Sequence, residues 1–240
     1  MDKALGGKGE VDILASFAGT KHPMVINLSE QNSLVGEWLS EIRSVSIQTD
    51  RMRFRRNMER IGEIAAYEIS KTLEYEEREV QTPLGIANCR VLAAQPVLAT
   101  ILRAGLALHQ GLLHYFDKAD HAFVSAYRKH RHDGSFDISL EYVSSPGIEG
   151  QVLIVSDPML ATGASLVKTI EHLESLGKPV HVHVVVCIAC TVGIEYVQRN
   201  VTSPLTIWAG DIDDELTAKG YIVPGLGDAG DLAFGNKLQS

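Results

Sequence analysis

The residues from Gln151 to Ser165 place an acid and two hydroxyls where they could do chemistry. An apolar run, Val152 to Val155, reads as a buried strand. Asp157 follows at the expected carboxyl end of that strand, and Thr162, Gly163 and Ser165 come next. Leu166, Ile170 and Leu173 then recur at helical spacing, so a helix is expected from near Gly163 to about Leu176, ended by Gly177 and Pro179. A strand that turns through small hydroxyl residues into a helix gathers several backbone N–H groups around one point. The positive end of the helix dipole adds to their pull on an anion. The chemistry this suits is the holding of a phosphate. The structural alternative is an ordinary strand–loop–helix corner, in which Thr162 and Ser165 only cap the helix. The glycine spacing excludes both G-x-x-x-x-G-K-[ST] and G-x-G-x-x-G.

Two cations occupy comparable places. Val97 to Leu102 reads as a second buried strand that runs into Arg103-Ala-Gly105, with a helix over Leu106 to Phe116. His121 to Tyr127 reads as a third strand, followed by Arg128. Further strands are expected at Val180 to Ala189 and Leu205 to Trp208, with a helix near Val192 to Arg199 between them. Strands alternating with helices over roughly Val91 to Ala209 predict an α/β fold with a mostly parallel sheet flanked on both faces. Ligands in such sheets bind beyond the carboxyl ends of the strands. Arg103, Arg128 and Asp157 all fall at such ends, and three converging charges make a site.

The other segments must position these. Lys21-His22-Pro23 precedes an extended piece, and the pattern is helical from about Arg43 to Glu77, with Ile61, Ile64, Ala65, Glu68 and Ile69 at helical spacing. Arg51, Arg53, Arg55 and Arg56 form a basic cluster there, read as a solvated helix face or a subunit contact in preference to an anion site. Pro83 to Ala87 reads as a turn with an extended flank. The Asp133-Gly134 turn, with strand patterns on either side through Leu140 to Val143, predicts a hairpin arm. His130, Arg131 and His132 fall at its tip and read as solvated, since no acid or cysteine spacing supports a metal there. The tail from Gly220 to Asp231 has four glycines and one proline in twelve residues, which argues against a helix or a regular strand. Tyr221, Ile222 and Val223 before its turn, and Phe234 after it, are expected to anchor a rigid loop whose backbone approaches a ligand closely.

A chain of 240 residues suffices for one large domain or two small ones, and a net charge of −8 argues against nucleic-acid binding as the main function. No apolar run is long enough to span a bilayer, and the N-terminus has no signal-peptide core. Three cysteines without an export signal predict reduced thiols in the cytoplasm. Cys187-Ile-Ala-Cys190 ends a strand pattern and has no second cysteine pair, so small buried side chains are expected there instead of zinc or redox chemistry. Residues 1–20, glycine-rich at the start and without periodicity, are expected to be a flexible leader to a single domain over 21–240.

Three motifs occur in order: Ile101-Leu-Arg-Ala-Gly-Leu106, Asp157-Pro-Met-Leu-Ala-Thr-Gly163 and Tyr221-Ile-Val-Pro-Gly-Leu-Gly-Asp-Ala-Gly-Asp231. The second resembles the phosphoribosyl-pyrophosphate (PRPP) loop of the type I phosphoribosyltransferases, with Pro158 where most of them carry a second acid. Together the three, spread over about Lys21 to Lys237, resemble the uracil phosphoribosyltransferases, and the third is highly specific to them. The resemblance implies a Rossmann-like, mostly parallel sheet with a small hood formed by the hairpin arm and the C-terminal loop. It implies conversion of uracil and PRPP to UMP and pyrophosphate in pyrimidine salvage, with magnesium, in a homodimer or larger homo-oligomer. By the same resemblance Arg103 and Arg128 hold PRPP phosphates. Asp157, Pro158, Met159, Leu160, Ala161, Thr162, Gly163, Ala164 and Ser165 cradle the ribose 5-phosphate, with Asp157 on the ribose hydroxyls. Ile222, Gly227, Asp228 and Ala229 hold uracil through backbone groups, and Asp228 also faces PRPP through its magnesium.

The sequence departs from the family's pattern in places. Ala164 stands for a second glycine, Ala107 for a glycine after the Arg103 turn, Leu232 for a basic residue, and Asn236 follows the final Phe-Gly. None removes a catalytic charge. Two other readings remain: a regulator of this fold that senses UMP or PRPP, of the kind that binds RNA, and a phosphoribosyltransferase for another base.

Overall fold

β-branched and aliphatic residues, alternating between two faces, build the centre of the molecule. The computed structural model describes residues 24–130 and 136–237, with side chains except at 127–130 and 136–139. The expected leader, Lys21-His22-Pro23, Arg131, His132, the Asp133-Gly134 turn and the side chain of His130 lie outside the described residues.

The chain opens with β1 (Met24–Asn27), α1 (Leu34–Arg43) and α2 (Arg51–Ser70), then a hairpin of β2 (Tyr75–Thr82) and β3 (Gly85–Leu92). Next come β4 (Val97–Leu102), α3 (Leu106–Tyr115), β5 (Asp120–His130), β6 (Phe136–Ser144), β7 (Val152–Ser156) and β8 (Met159–Leu160). The rest is α4 (Ala164–Glu174), β9 (His181–Cys190), α5 (Thr191–Asn200), β10 (Leu205–Asp213), β11 (Glu215–Leu216), β12 (Ile222–Val223) and α6 (Ala229–Phe234). The main sheet runs β1-β10-β9-β7-β4-β5-β6, with β8 added beside β9. All its pairs are parallel except β5 with β6.

Both faces are covered, as the near-continuous apolar strands require. Leu98, Ile154, Val185 and Cys187 pack with α1, α2, α3 and α6 on one side. Val97, Ala99, Leu153, Val155, Val184 and Val186 pack with α4 and α5 on the other. Full burial of each such aliphatic contributes about 1.5–3 kcal/mol, so the strand ends that carry the charged residues stand on a rigid base. Among the described residues no helix is long and apolar enough to cross a membrane.

Several boundaries correct the sequence reading. The expected helix from Arg43 to Glu77 is two helices and the start of a strand. Ser33 caps α1 through the N–H of Val35, and Asp50 caps α2 through Met52 and Arg53, so the break falls where capping residues satisfy the first-turn donors. Tyr75 to Glu77 instead pair with Leu92 to Arg90 of β3. Only Pro83 and Leu84 form the turn of that hairpin, because Gly85 already pairs with Thr82. Arg128 lies inside β5, not beyond it: the strand outlasts its parallel partner β4 because β6 continues the ladder, Arg128 opposite Ile138. β10 runs past Trp208 to Asp213, held by β9 as far as Cys190. Cys187 and Cys190 are fully buried in β9, as expected.

Candidate active site

The sheet has one topological switch. β4 leads through α3 to β5 on one side, and β7 leads through α4 to β9 on the other, with the two helices on opposite faces. Such a switch opens a crevice at the strands' carboxyl ends. β4 and β7 are adjacent, with Thr100 opposite Ser156, so Arg103 and Asp157 emerge side by side into it. Arg128 lies on the next strand, three residues past the Leu102–Ser125 pair, on the part of β5 that only β6 accompanies. Its backbone is at the expected edge; its side chain lies outside the described residues.

The loop after β7 is fixed from below. The Pro158 carbonyl accepts from the N–H groups of Cys187 and Ile188, each at 3.0 Å, and Met159 and Leu160 pair with β9 as β8. Gly163 sits at φ +81°, and a Cβ there would stand 2.9 Å from the Gly193 carbonyl oxygen of α5. A side chain would therefore meet both strain and a backbone clash. The chain turns at that glycine straight into α4, whose N-terminus has no side-chain cap. Thr162 Oγ1 lies 3.4 Å from the Ala164 N–H, a long contact, so the corner is not the hydroxyl-capped one that the sequence left open. An uncapped helix start of this kind leaves backbone N–H groups able to receive an anion.

Asp157 sits between that loop and the sheet. Burial pushes its carboxyl up to about 7, against a weak opposing bond from the Met159 N–H at 3.4 Å. Beneath it the Cys187 thiol is pushed far up by burial and then by the Asp157 charge, so it is inert.

The glycine-rich tail closes the crevice from the other side. It is not structureless: Ile222 pairs with Leu216 in the β11–β12 ladder, and Ala229 opens α6. Polar capping makes this helix possible in spite of Gly230, since Asp228 accepts from the Asp231 N–H at 3.0 Å. Of the four expected anchors only Ile222 is buried; Tyr221 and Val223 are 48% and 39% exposed, and Phe234 lies against the Arg55 guanidinium, 6.0 Å from its ring centre. Leu226, not singled out in the sequence, and Ala229, expected only as a backbone contact to uracil, are further buried anchors. Burial opposes the Asp228 charge, yet the Asp231 N–H and Lys237, at 3.1 Å, hold its carboxyl below the usual range.

Arg103 donates from Nη2 to Asp231 Oδ1 at 2.9 Å and to the Gly235 carbonyl at 2.8 Å. It thereby ties the β4 turn to the glycine-rich tail, a role the sequence did not reveal, although Asp231 stood inside the third motif. The basic cluster on α2 also serves the fold more than was expected. Arg53 pairs with Glu41, Arg56 with Glu59 and Glu63, and Arg55 donates to the Ala233 carbonyl at 2.6 Å. Arg51 instead joins Gln48, Thr49, Gly227, Asp228, Asp231, Leu232 and Asn236 around a cavity of about 410 Å³, within the size range of small-ligand pockets. Leu232 thus contributes an apolar wall there. Among the described residues no cluster of three or more His, Cys, Asp or Glu could hold a metal ion.

The comparisons with known proteins agree with this geometry. A family model described as uracil phosphoribosyltransferase matches residues 29–236. A uracil phosphoribosyltransferase from Porphyromonas gingivalis is 51% identical over 214 residues, covering 89% of this chain and 99% of that protein. Another from Methanothermobacter thermautotrophicus is 38% identical over 207 residues, covering 85% of this chain and 93% of its own. Among solved structures, the AQ2163 protein from Aquifex aeolicus superposes with a TM-score of 0.79 at 27% identity, covering 90% of this chain and 100% of that one. With the crevice, the uncapped loop after β7 and the glycine-rich tail all inside the matched span, this chain belongs to the uracil phosphoribosyltransferase family.

Proposed function

We propose that this chain transfers the phosphoribosyl group of PRPP to N1 of uracil, giving UMP and pyrophosphate in pyrimidine salvage. The observation that carries the reading is the meeting, at the ends of β4 and β7, of an uncapped helix start, the Asp157 carboxyl and an arginine tied to a glycine-rich loop. The N–H groups opening α4, with Thr162 and Ser165, take the 5-phosphate. Asp157 faces the ribose hydroxyls. As the bond from C1 to the pyrophosphate oxygen breaks, its electron pair leaves with pyrophosphate and positive charge grows on the ribose ring, until the N1 electron pair bonds to C1 and the N1 proton passes to solvent. A carboxylate placed beside it stabilises that charge. Arg103 and Arg128 bind phosphate oxygens and favour departure of the leaving group. Magnesium arriving on the pyrophosphate would neutralise part of its charge, and Asp228, kept ionised, is the carboxylate that would face it.

Uracil lies against Ile222 and the Gly227 to Ala229 backbone in this reading. Its O4 accepts and its N3–H donates, whereas cytosine reverses both. Fixed backbone groups facing those positions would be left unsatisfied by cytosine, which can cost a factor on the order of 10⁴. The test is turnover with PRPP and uracil, cytosine, hypoxanthine or adenine. UMP formation with the other bases inert supports the reading. Comparable kcat/KM for uracil and cytosine refutes it, and UMP binding without turnover would point to a sensor. The working unit is a homodimer or larger assembly in a cytoplasmic setting. The hairpin of β2 and β3 supports self-association: Leu84 is 99% exposed and Ile86 67%, and a two-stranded hairpin is marginal alone.

A further inference from the structure

Behind the glycine-rich loop lies a group of charges that no step of the proposed reaction uses. Arg43, the last residue of α1, donates from Nη1 to Asp213 Oδ2 at 2.8 Å and to the Gly225 carbonyl at 3.0 Å. From Nη2 it donates to Asp213 Oδ1 and to Asp211 Oδ2, each at 2.9 Å. Asp213 also accepts the Gly225 N–H at 2.9 Å. One bidentate ion pair therefore grips both backbone groups of a single residue, and its side chains are only 19% and 7% exposed. A pair this buried is tolerated only when its remaining donors and acceptors are answered, and Gly225 answers them.

Asp211 is the outer member of the group. Its other oxygen takes Ser29 Oγ at 2.9 Å and the Ile212 N–H at 2.9 Å, and the Gly225 backbone groups bond to Arg43 and Asp213 instead. Gly225 sits at φ +57°, and a Cβ there would stand 2.2 Å from the Ile222 carbonyl oxygen. The Gly225 backbone thus rests directly on the Ile222 peptide, with Leu226 alone between it and Gly227. Ile222 and Gly227 to Ala229 are the two sides of the proposed base slot.

We infer that Arg43 and Asp213 are positioning residues for base selection: by fixing Gly225 they set the separation of the Ile222 backbone from that of Gly227 to Ala229, and so the slot that reads a planar pyrimidine. This rests on the uracil reading of the loop. A plain brace between α1 and β10 would affect stability and both substrates alike. A positioning pair must act on the base far more than on PRPP.

Arg43→Lys keeps the charge at the end of α1 but offers no planar fork. In that variant KM for uracil should rise by about 10-fold or more and KM for PRPP should stay within about 2-fold, with the preference for uracil over cytosine narrowing by about 10-fold. Asp211→Asn, on the same network but away from Gly225, should leave all three near the parent. Asp213→Asn should repeat the Arg43→Lys pattern and serves if that variant fails to fold. Amide exchange at Gly225, measured without substrates, should quicken by about 10-fold in Arg43→Lys and Asp213→Asn and not in Asp211→Asn. Equal changes in both KM values, or an unchanged uracil constant, would overturn the inference. A parent protein inactive on uracil refutes the proposed function instead, and unchanged Gly225 exchange in the variants would then refute the clamp independently.

Discussion

Replacing Asp157 by Asn removes an ionisable proton while keeping the shape and the oxygen that accepts the Met159 N–H. In the fold this carboxyl ionises near 7 because it is desolvated, against an ordinary value of 3.8. The unfolded chain releases the proton from about pH 4, so between the two values the folded state holds more protons. Stability must then fall as pH rises through that window, and the loss is complete above about 7. A displacement of roughly three pH units corresponds to about 4 kcal/mol at 1.36 kcal/mol per unit. Partial access of water to the carboxyl brings this to about 2 kcal/mol. For a chain of this length each kcal/mol moves Tm by about 2–4 °C, so Asp157→Asn should melt about 4–8 °C above the parent at pH 8.5 and level with it near pH 4. The same variant should lose about 10²-fold or more in turnover, the scale of one electrostatic contact made in the transition state. Calorimetric melting of both proteins across pH 4 to 9, with kcat at pH 8, measures each half. A Tm difference that does not change with pH, or a variant less stable at pH 8.5, would refute the account of Asp157 as a buried carboxyl kept for chemistry at the expense of stability.

Other outcomes follow from the same geometry. Arg103→Ala should raise KM for PRPP while leaving the circular dichroism spectrum unchanged, and unaltered PRPP saturation would remove it from the phosphate site. Gly163→Ala, which forces a Cβ to 2.9 Å from the Gly193 carbonyl at a positive φ, should weaken PRPP binding by about 10-fold or more; wild-type PRPP kinetics in that variant would mean the loop is not the phosphate cradle. Of the three cysteines only Cys89, on the exposed hairpin, should react with a thiol reagent in the folded protein, because Cys187 and Cys190 are buried; modification of more than one thiol under native conditions contradicts the packing of β9.

Periodicity exposed the parts of the fold whose burial is uniform. β4 and β9, apolar on both faces, were legible almost to the residue, and so was α4 with its single amphipathic stripe. The strand carboxyl ends followed, and with them the neighbouring positions of Arg103 and Asp157. What escaped depends on partners distant in the chain. α1 carries Gly36 and four polar residues among ten, so its helical stripe is short, and its start is set by the Ser33 cap. The extension of β5 through Arg128 depends on β6 and leaves no local signature. The glycine count of the tail argued against a helix, yet Asp228 supplies the cap and the core accepts Ala229 and Ala233, so α6 forms. Arg43 gave no signal at all, because its partners Asp211, Asp213 and Gly225 are 168 to 182 residues away.

The way Arg103 is held limits what its guanidinium can offer a phosphate. A guanidinium presents two edges able to donate a parallel pair of N–H bonds, one formed by Nε with Nη2 and the other by Nη1 with Nη2. Both edges pass through Nη2, and Nη2 is the atom that donates to Asp231 and to the Gly235 carbonyl. A phosphate can therefore take a single bond from Nη1 or Nε while the tail stays tied, or a full fork only by drawing Nη2 away from it. The two contacts compete for one nitrogen. Linkage makes such competition symmetric, so whatever factor the tie takes from phosphate affinity, bound phosphate takes from the tie. The glycine-rich tail and the phosphate site then behave as two ends of one balance, with the nitrogen of a single side chain as its pivot.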